Sequence, residues 1–160
     1  MINFKRALAF TLQWEGGKVD DPDDRGGRTN RGVTQRTYDA WRKSVGRPKR
    51  DVFLIEGDEV HAIYFERYWK AAHCDQDGAL TSVVMFDIAV NHGVGRIRQW
   101  MKVVNALPHD LRDTDIEFAR ALIDIRVNFY YAIVKRNPTQ RKFLKGWLNR
   151  ARALKKEVGY

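Results

Sequence analysis

Residues 14–35 read WEGGKVDDPDDRGGRTNRGVTQ, where one glutamate is followed by two glycine pairs and four aspartates. Carboxylates gathered around a turn-forming segment can move protons, so the first question is what environment each would have. Glu15 closes a stripe made by Phe4, Ala7, Leu8, Thr11 and Leu12, which recur with the i, i+3, i+4 spacing of one helix face. Gly16 and Gly17 are the expected helix stop. A carboxylate at that place sits beside the partial negative charge of helix-end carbonyls, and the apolar stripe strips it of water. Both effects favour the protonated form, which is what a general acid needs in order to give a proton to a leaving oxygen. Most glutamates before glycines are solvated last-turn residues, so Glu15 draws its interest from its neighbours.

Asp24 lies nine residues after Glu15, before Gly26 and Gly27, and Thr29 follows five residues later. A second carboxylate facing the first across a cleft is the arrangement of glycoside hydrolysis: one acid protonates the glycosidic oxygen while the other acts on the opposite face of the sugar. Asp20, Asp21 and Asp23 compete for that second role, although aspartates in such a run are more often turn formers. Asn30 and Gln35, in the RTNRGVTQ end of the run, are candidate sugar contacts. Asp87 and Asn91, four apart in FDIAVNHG, share a helix face. They either floor the cleft, binding sugar or orienting Glu15, or form a buried polar pair before Gly93. His92 reads as a surface or cap residue. Trp14 is the aromatic placed to desolvate Glu15, whereas Trp69, Trp100 and Trp147 read as core and Cys74 as a small hydrophobe.

The elements that must position these residues are mainly helical. Residues 18–31 have a turn composition with room for at most a small hairpin. From Thr34 the pattern is helical to about Gly46, and GRPKRD reads as an exposed basic connection. A further helix capped at Asp58 carries Val60, Ile63, Tyr64 and Arg67 on one face. The second half holds TSVVMFDIAVNHG, GRIRQWMKVVN, a long helix over residues 114–136, and a basic helix after Asn137 and Pro138. In that last helix Phe143, Trp147, Ala151 and Leu154 form a stripe that should dock on the fold, leaving Arg141, Lys142, Lys145, Arg150, Arg152, Lys155 and Lys156 outside. The organisation expected is one domain, with residues 1–78 carrying the glutamate and loop and residues 79–160 a helical half.

At 160 residues the chain can bury one core. Its 44% hydrophobic and 31% charged content excludes a disordered or fibrous protein. Twenty-nine Lys and Arg against 20 Asp and Glu leave +9, a surface that attracts polyanions such as wall polymer, acidic lipid or nucleic acid. One cysteine excludes an internal disulfide and a thiolate zinc cage, and four scattered histidines offer no metal-ligand spacing, so neither metal nor cofactor is expected. The N-terminal apolar run lacks a cleavage site and no run reaches the length of a membrane helix, so the expectation is a product made in the cytoplasm without a signal peptide.

With these residues in view, EGGKVDDPDDRGGRTNRGVTQ resembles the EGGY-type motif of glycoside hydrolase family 108. Glu15, Gly16, Gly17, Asp21, Pro22, Asp24, Gly26, Gly27, Thr29, Gly32, Val33 and Thr34 fall in order without a gap. The resemblance extends through YFERYWKAAHCD and FDIAVNHGVGR to FLKGWLNR, which is similar to the peptidoglycan-binding half accompanying that family. It implies a lysozyme-like fold, a helical bundle with a small loop or hairpin lobe beside the cleft. It also implies N-acetylmuramidase activity with Glu15 as catalytic acid. The Glu15, Asp24, Thr29 series is similar to the Glu, Asp, Thr trio of phage lysozymes, with Thr29 about one residue early. Lys18 stands where the family usually has tyrosine, and Arg25 and Arg31 replace residues that are more often proline and aromatic or neutral, which makes the cleft mouth more cationic.

The function expected is therefore a peptidoglycan muramidase of the phage endolysin kind. It would act as a monomer on the bacterial wall after release through a separate membrane pore, helped by electrostatic contact with the anionic envelope. A lytic transglycosylase would use one glutamate and close the sugar on itself; the aspartate-rich loop favours hydrolysis. A basic nucleic-acid-binding module rests only on charge and the RKSVGRPKR run. An inactive wall-binding protein is opposed by the intact Glu15.

Overall fold

A computed structural model describes residues 2–20 and 27–159 of the chain. The core is built around α4 (Ala79–His92), whose residues from Thr81 through Ala89 are all buried. A helix apolar on every side belongs in the middle of a fold rather than on its surface. Its first turn is capped from another helix, because the backbone N–H groups of Leu80 and Thr81 donate to the Asp115 carboxylate at 2.8 and 2.9 Å. Gly93, at φ +88°, breaks the chain into α5 (Val94–Asn105). On one side of α4 lies α1 (Ile2–Leu12), with Phe4 set edge-on among His61, Phe65, Trp69 and Phe86. On another lies α6 (Asp115–Arg136), started by a reciprocal cap between Thr114 and Glu117, and α7 (Arg141–Glu157) packs on α6 after the turn at 137–140. One hydrophobic core is continuous across residue 78, since α4 touches elements of both halves.

The small lobe holds an antiparallel hairpin of β1 (Thr29–Asn30) and β2 (Val33–Thr34), with Val19 bridged to Thr29 alongside. Its two-residue turn, Arg31 at φ 51° and Gly32 at φ 73°, has the doubly positive geometry of a tight hairpin. Thr34 then caps α2 (Gln35–Ser44) by accepting from the Thr37 N–H. The molecule is thus mainly helical with a two-stranded lobe. Two local expectations change. The helix expected to be capped at Asp58 is α3 (Gly57–Tyr64), opened instead by a capping box between Glu56 and Glu59. It widens into a π-helical segment, Phe65–Lys70, which turns Trp69 into the core and leaves Arg67 exposed. Glu59 is buried against Arg42 at 2.7 Å, with Arg47 at 3.3 Å, and this cluster ties α2 to α3. Among the described residues no helix is long and apolar enough to cross a membrane.

Candidate active site

Glu15 sits three residues past the end of α1, not in its last turn. Gln13 N–H donates to the Phe10 carbonyl at 3.2 Å and Trp14 N–H to the Thr11 carbonyl at 3.0 Å, so two helix-end carbonyls are satisfied before Glu15 is reached. Its surroundings are set by another helix. The Glu15 side chain is 20% exposed, and its Oε1 accepts both Nη1 and Nη2 of Arg150, from α7, at 3.0 Å each. Nη2 of Arg150 also donates to Asp87 Oδ1 at 2.7 Å, while Nε straddles both Asp87 oxygens at 3.2 Å. Asp87, 0% exposed, receives Arg126 Nη1 at 2.6 Å and the Thr11 hydroxyl at 3.0 Å. Carboxylates and guanidinium groups therefore alternate from Arg126 through Asp87 and Arg150 to Glu15.

Charge alternation makes the buried part of this chain tolerable. Burial alone would raise the Asp87 carboxyl, but the flanking guanidinium groups of Arg126 and Arg150 outweigh it and hold it below the usual carboxylate range. Arg150 is destabilised by the same burial, which Asp87 first and Glu15 second overcome, so it stays cationic. Glu15 is thus held by a guanidinium group rather than set among helix-end carbonyls, as its place at the end of the apolar stripe had suggested. Because both Arg150 bonds fall on Oε1, Oε2 is left on the side of the hairpin turn, 3.1 Å from where a Cβ on Gly32 would stand. Gly32 lets the turn approach that closely. The aromatic wall here is Tyr64, whose hydroxyl donates to the Arg31 carbonyl at 2.9 Å. Burial, with the Glu15 charge adding to it, pushes the Tyr64 phenol well up. Trp14, expected to desolvate Glu15, is 36% exposed and leans on Phe10 instead.

The other sequence candidates take distinct places. Asp24 lies outside the described residues, as do Asp21 and Asp23, while Asp20 is exposed and pairs with Arg28 at 3.2 Å. Thr29 is half-buried in the hairpin, its hydroxyl donating to the Gly27 carbonyl at 3.2 Å. Asn30 is buried and donates to the Val52 carbonyl at 3.2 Å. Gln35 donates to Asp39 and to the Arg50 carbonyl and accepts from the Val52 N–H, at 2.9, 2.8 and 2.7 Å. These bonds make Asn30 and Gln35 fasteners of the segment around Val52. Asp87, walled in by Thr11, Arg126 and Arg150, has its contact with Glu15 through Arg150 rather than with solvent. Asn91 is exposed, with Oδ1 accepting from Arg126 Nη2 at 3.0 Å, so its NH2 group is the part left to meet a ligand.

Arg150, expected on the outer face of the basic helix, is buried at the centre of the site, and Arg126 was not singled out at all. A signal existed for both. Arg150 stands on the same stripe as Trp147, Ala151 and Leu154, and Arg126 between Leu122, Ile123 and Tyr130, so each is an arginine on an apolar face that must find a buried carboxylate. His92, expected at the surface, packs against Trp100, Phe129 and Tyr130 with ring centroids 5.4 to 5.6 Å apart across the group. Desolvation, reinforced by Arg126, pushes its pKa down to about 3.

The arrangement can hold one carboxylate in a fixed orientation with one oxygen presented beside a hairpin lobe, the equipment of an acid acting on a bound chain. Comparison with known proteins gives the fold and the family. No curated protein matches the chain. Among solved structures, Brucella abortus SagA is similar at 28% identity and a TM-score of 0.73, over 97% of this chain and 92% of that one. The fold is thus lysozyme-like. Residues 98–152 match a family described as a predicted peptidoglycan domain. Residues 8–93, over half the chain and including Glu15, Asp87 and Asn91, match glycosyl hydrolase 108: the chain belongs to that family and is a peptidoglycan hydrolase.

Proposed function

We propose that Glu15 is the general acid with which this enzyme cuts the bond between N-acetylmuramic acid and N-acetylglucosamine. The observation that carries the reading is the pair of Arg150 bonds to Oε1, which fixes the carboxyl group and leaves Oε2 to carry the proton. As the bond from C1 of the muramic residue to the glycosidic oxygen breaks, that proton passes to the oxygen. Positive charge then develops at C1, where the ionised carboxylate opposes it. Water adds its hydroxyl to C1 and returns its proton to a carboxylate. Asp24 is the candidate for the second carboxylate, Thr29 its neighbour, and Asn91 the sugar contact.

Digestion of purified peptidoglycan followed by mass analysis of the fragments tests this. One water added per cut is expected, and Glu15→Gln should slow cutting by at least about 10²- to 10⁴-fold without unfolding the protein. Wild-type rates from a folded Glu15→Gln protein, or fragments closed on themselves without water, would overturn the assignment. An endolysin that reaches the wall from inside the cell would be helped by the net charge of +9, which would draw it to an anionic envelope. Cell lysis that slows steeply with added salt while cutting of short soluble fragments does not is the expected mark of that attraction.

A further inference from the structure

On α7, Leu154, Arg150, Trp147 and Phe143 fall on one face, and their burial changes steadily along it. Leu154 is in the core, Arg150 holds Glu15, Trp147 is partly covered and Phe143 is 46% exposed. A stripe that leaves the core would ordinarily turn polar; this one carries two aromatic rings into solvent. They form an offset row of near-parallel rings, since the Tyr130 and Trp147 centroids are 5.3 Å apart with planes at 27°, and those of Trp147 and Phe143 are 6.0 Å apart with planes at 28°. The inner end of the row is tied to the site, because the Tyr130 hydroxyl is bonded to Arg126 and to Asn91. At the outer end Lys142 Nζ lies 5.0 Å from the Phe143 ring centre, flanked by exposed Arg141 and Lys145.

Resting on the reading of Glu15 as the cutting acid, we infer that this stripe is a subsite along which the glycan strand lies as it leaves the cleft. A pyranose ring has an apolar C–H face and a polar rim, so it settles flat on an aromatic ring as few other polar molecules do. The seven-residue step from Arg150 to Phe143 is about 10 Å of helix, roughly one disaccharide repeat of a glycan chain. A sugar held at Phe143 therefore belongs to the same strand as the bond at Glu15. The carboxylate of a muramic residue there would meet Lys142, which gives the strand a charge complement that a neutral glycan lacks.

The test measures binding of a peptide-free glycan strand of alternating N-acetylglucosamine and N-acetylmuramic acid to the Glu15→Gln protein, by calorimetry and tryptophan fluorescence. Phe143→Ala in that background should weaken binding about 2- to 10-fold, as expected for one lost stacking contact. Phe143→Tyr should restore it, and Lys142→Gln should weaken this strand but not an oligomer of N-acetylglucosamine alone. With Glu15 intact, Phe143→Ala should raise KM on long strands and leave kcat unchanged. Parental affinity and KM in a folded Phe143→Ala protein would overturn the subsite while leaving the hydrolase reading intact. Failure of the unsubstituted protein to cut peptidoglycan would instead strike that reading.

Discussion

Arg150 illustrates how a single residue joins stability to chemistry. It neutralises a carboxylate with no access to water, Asp87, and with the same guanidinium group holds one that must act, Glu15. Removing it should separate the two duties. Arg150→Met leaves Asp87 with Arg126 and the Thr11 hydroxyl, and breaking a buried pair of this kind costs about 3 kcal/mol, readable in chemical denaturation. Arg150→Lys keeps the charge but not the fork, so it should lose less stability while kcat falls about tenfold or more and KM stays level, because the ammonium cannot bond Glu15 and Asp87 in the same geometry. A lysine variant with parental kcat would show that Glu15 needs no such holder. Glu15 itself was singled out by the sequence, because a glutamate at the end of an apolar stripe before two glycines is unusual in one short window. The residue that holds it was not: Glu15 and Arg150 are 135 positions apart, and local periodicity carries no information about contacts of that range.

Among the elements, the long helix of the second half was read well, because a cap and an apolar period agree there. The helix from Asp115 to Arg136 begins at the Thr114 and Glu117 cap and stops before Pro138, as the sequence suggests. The π-helical Phe65–Lys70 was not legible, because an added residue in a turn changes no residue type and is fixed only by what packs on it. A small hairpin was allowed for within residues 18–31; its strands are Thr29–Asn30 and Val33–Thr34, and its turn explains an element-scale constraint. Gly32 has φ +73°, and a side chain there would press on the Tyr64 hydroxyl and the Glu15 carboxyl together. Gly32→Ala should therefore lower stability by roughly 1–2 kcal/mol from the backbone alone. It should also reduce kcat more than a surface glycine does, because Glu15 has to move aside. Gly46→Ala makes a suitable control: its φ is +70° with nothing near an added Cβ, so it keeps the strain without the contact. Equal activity in the two variants would mean that the turn does not press on the acid.

For the whole molecule, composition and charge were read directly, but the inside of the basic half was not. Its most telling feature is His92, placed among aromatic rings and cations where a protonated imidazole is unwelcome. Desolvation comes first among the causes, Arg126, Arg150 and Arg96 add repulsion, and Asp87 offsets part of it, leaving the folded-state pKa at about 3 against an unfolded value of about 6.5. In the unfolded chain the ring takes up a proton as pH falls below about 6.5, while in the folded chain it stays neutral until about pH 3. Over that window acid favours the unfolded state, so stability falls as pH falls. The Asp87 carboxylate, held below its ordinary range by Arg126 and Arg150, weakens the fold only at still lower pH, through the carboxylate range and beneath it. The two contributions thus separate in pH. His92→Phe keeps an aromatic ring against Trp100, Phe129 and Tyr130 while removing the titrating group, at the expense of the 3.3 Å contact between Nε2 and the Tyr130 hydroxyl. Denaturant unfolding at pH 6.5 and 4.5 should show the parent losing on the order of 1–2 kcal/mol more than the variant between the two, after allowance for solvent screening of a partly exposed ring. Comparing variant with parent cancels the other acidic groups, which both proteins share. Parallel stability curves in the two proteins would mean that His92 takes up its proton as readily in the folded chain as in the unfolded one, and that the aromatic cluster admits water.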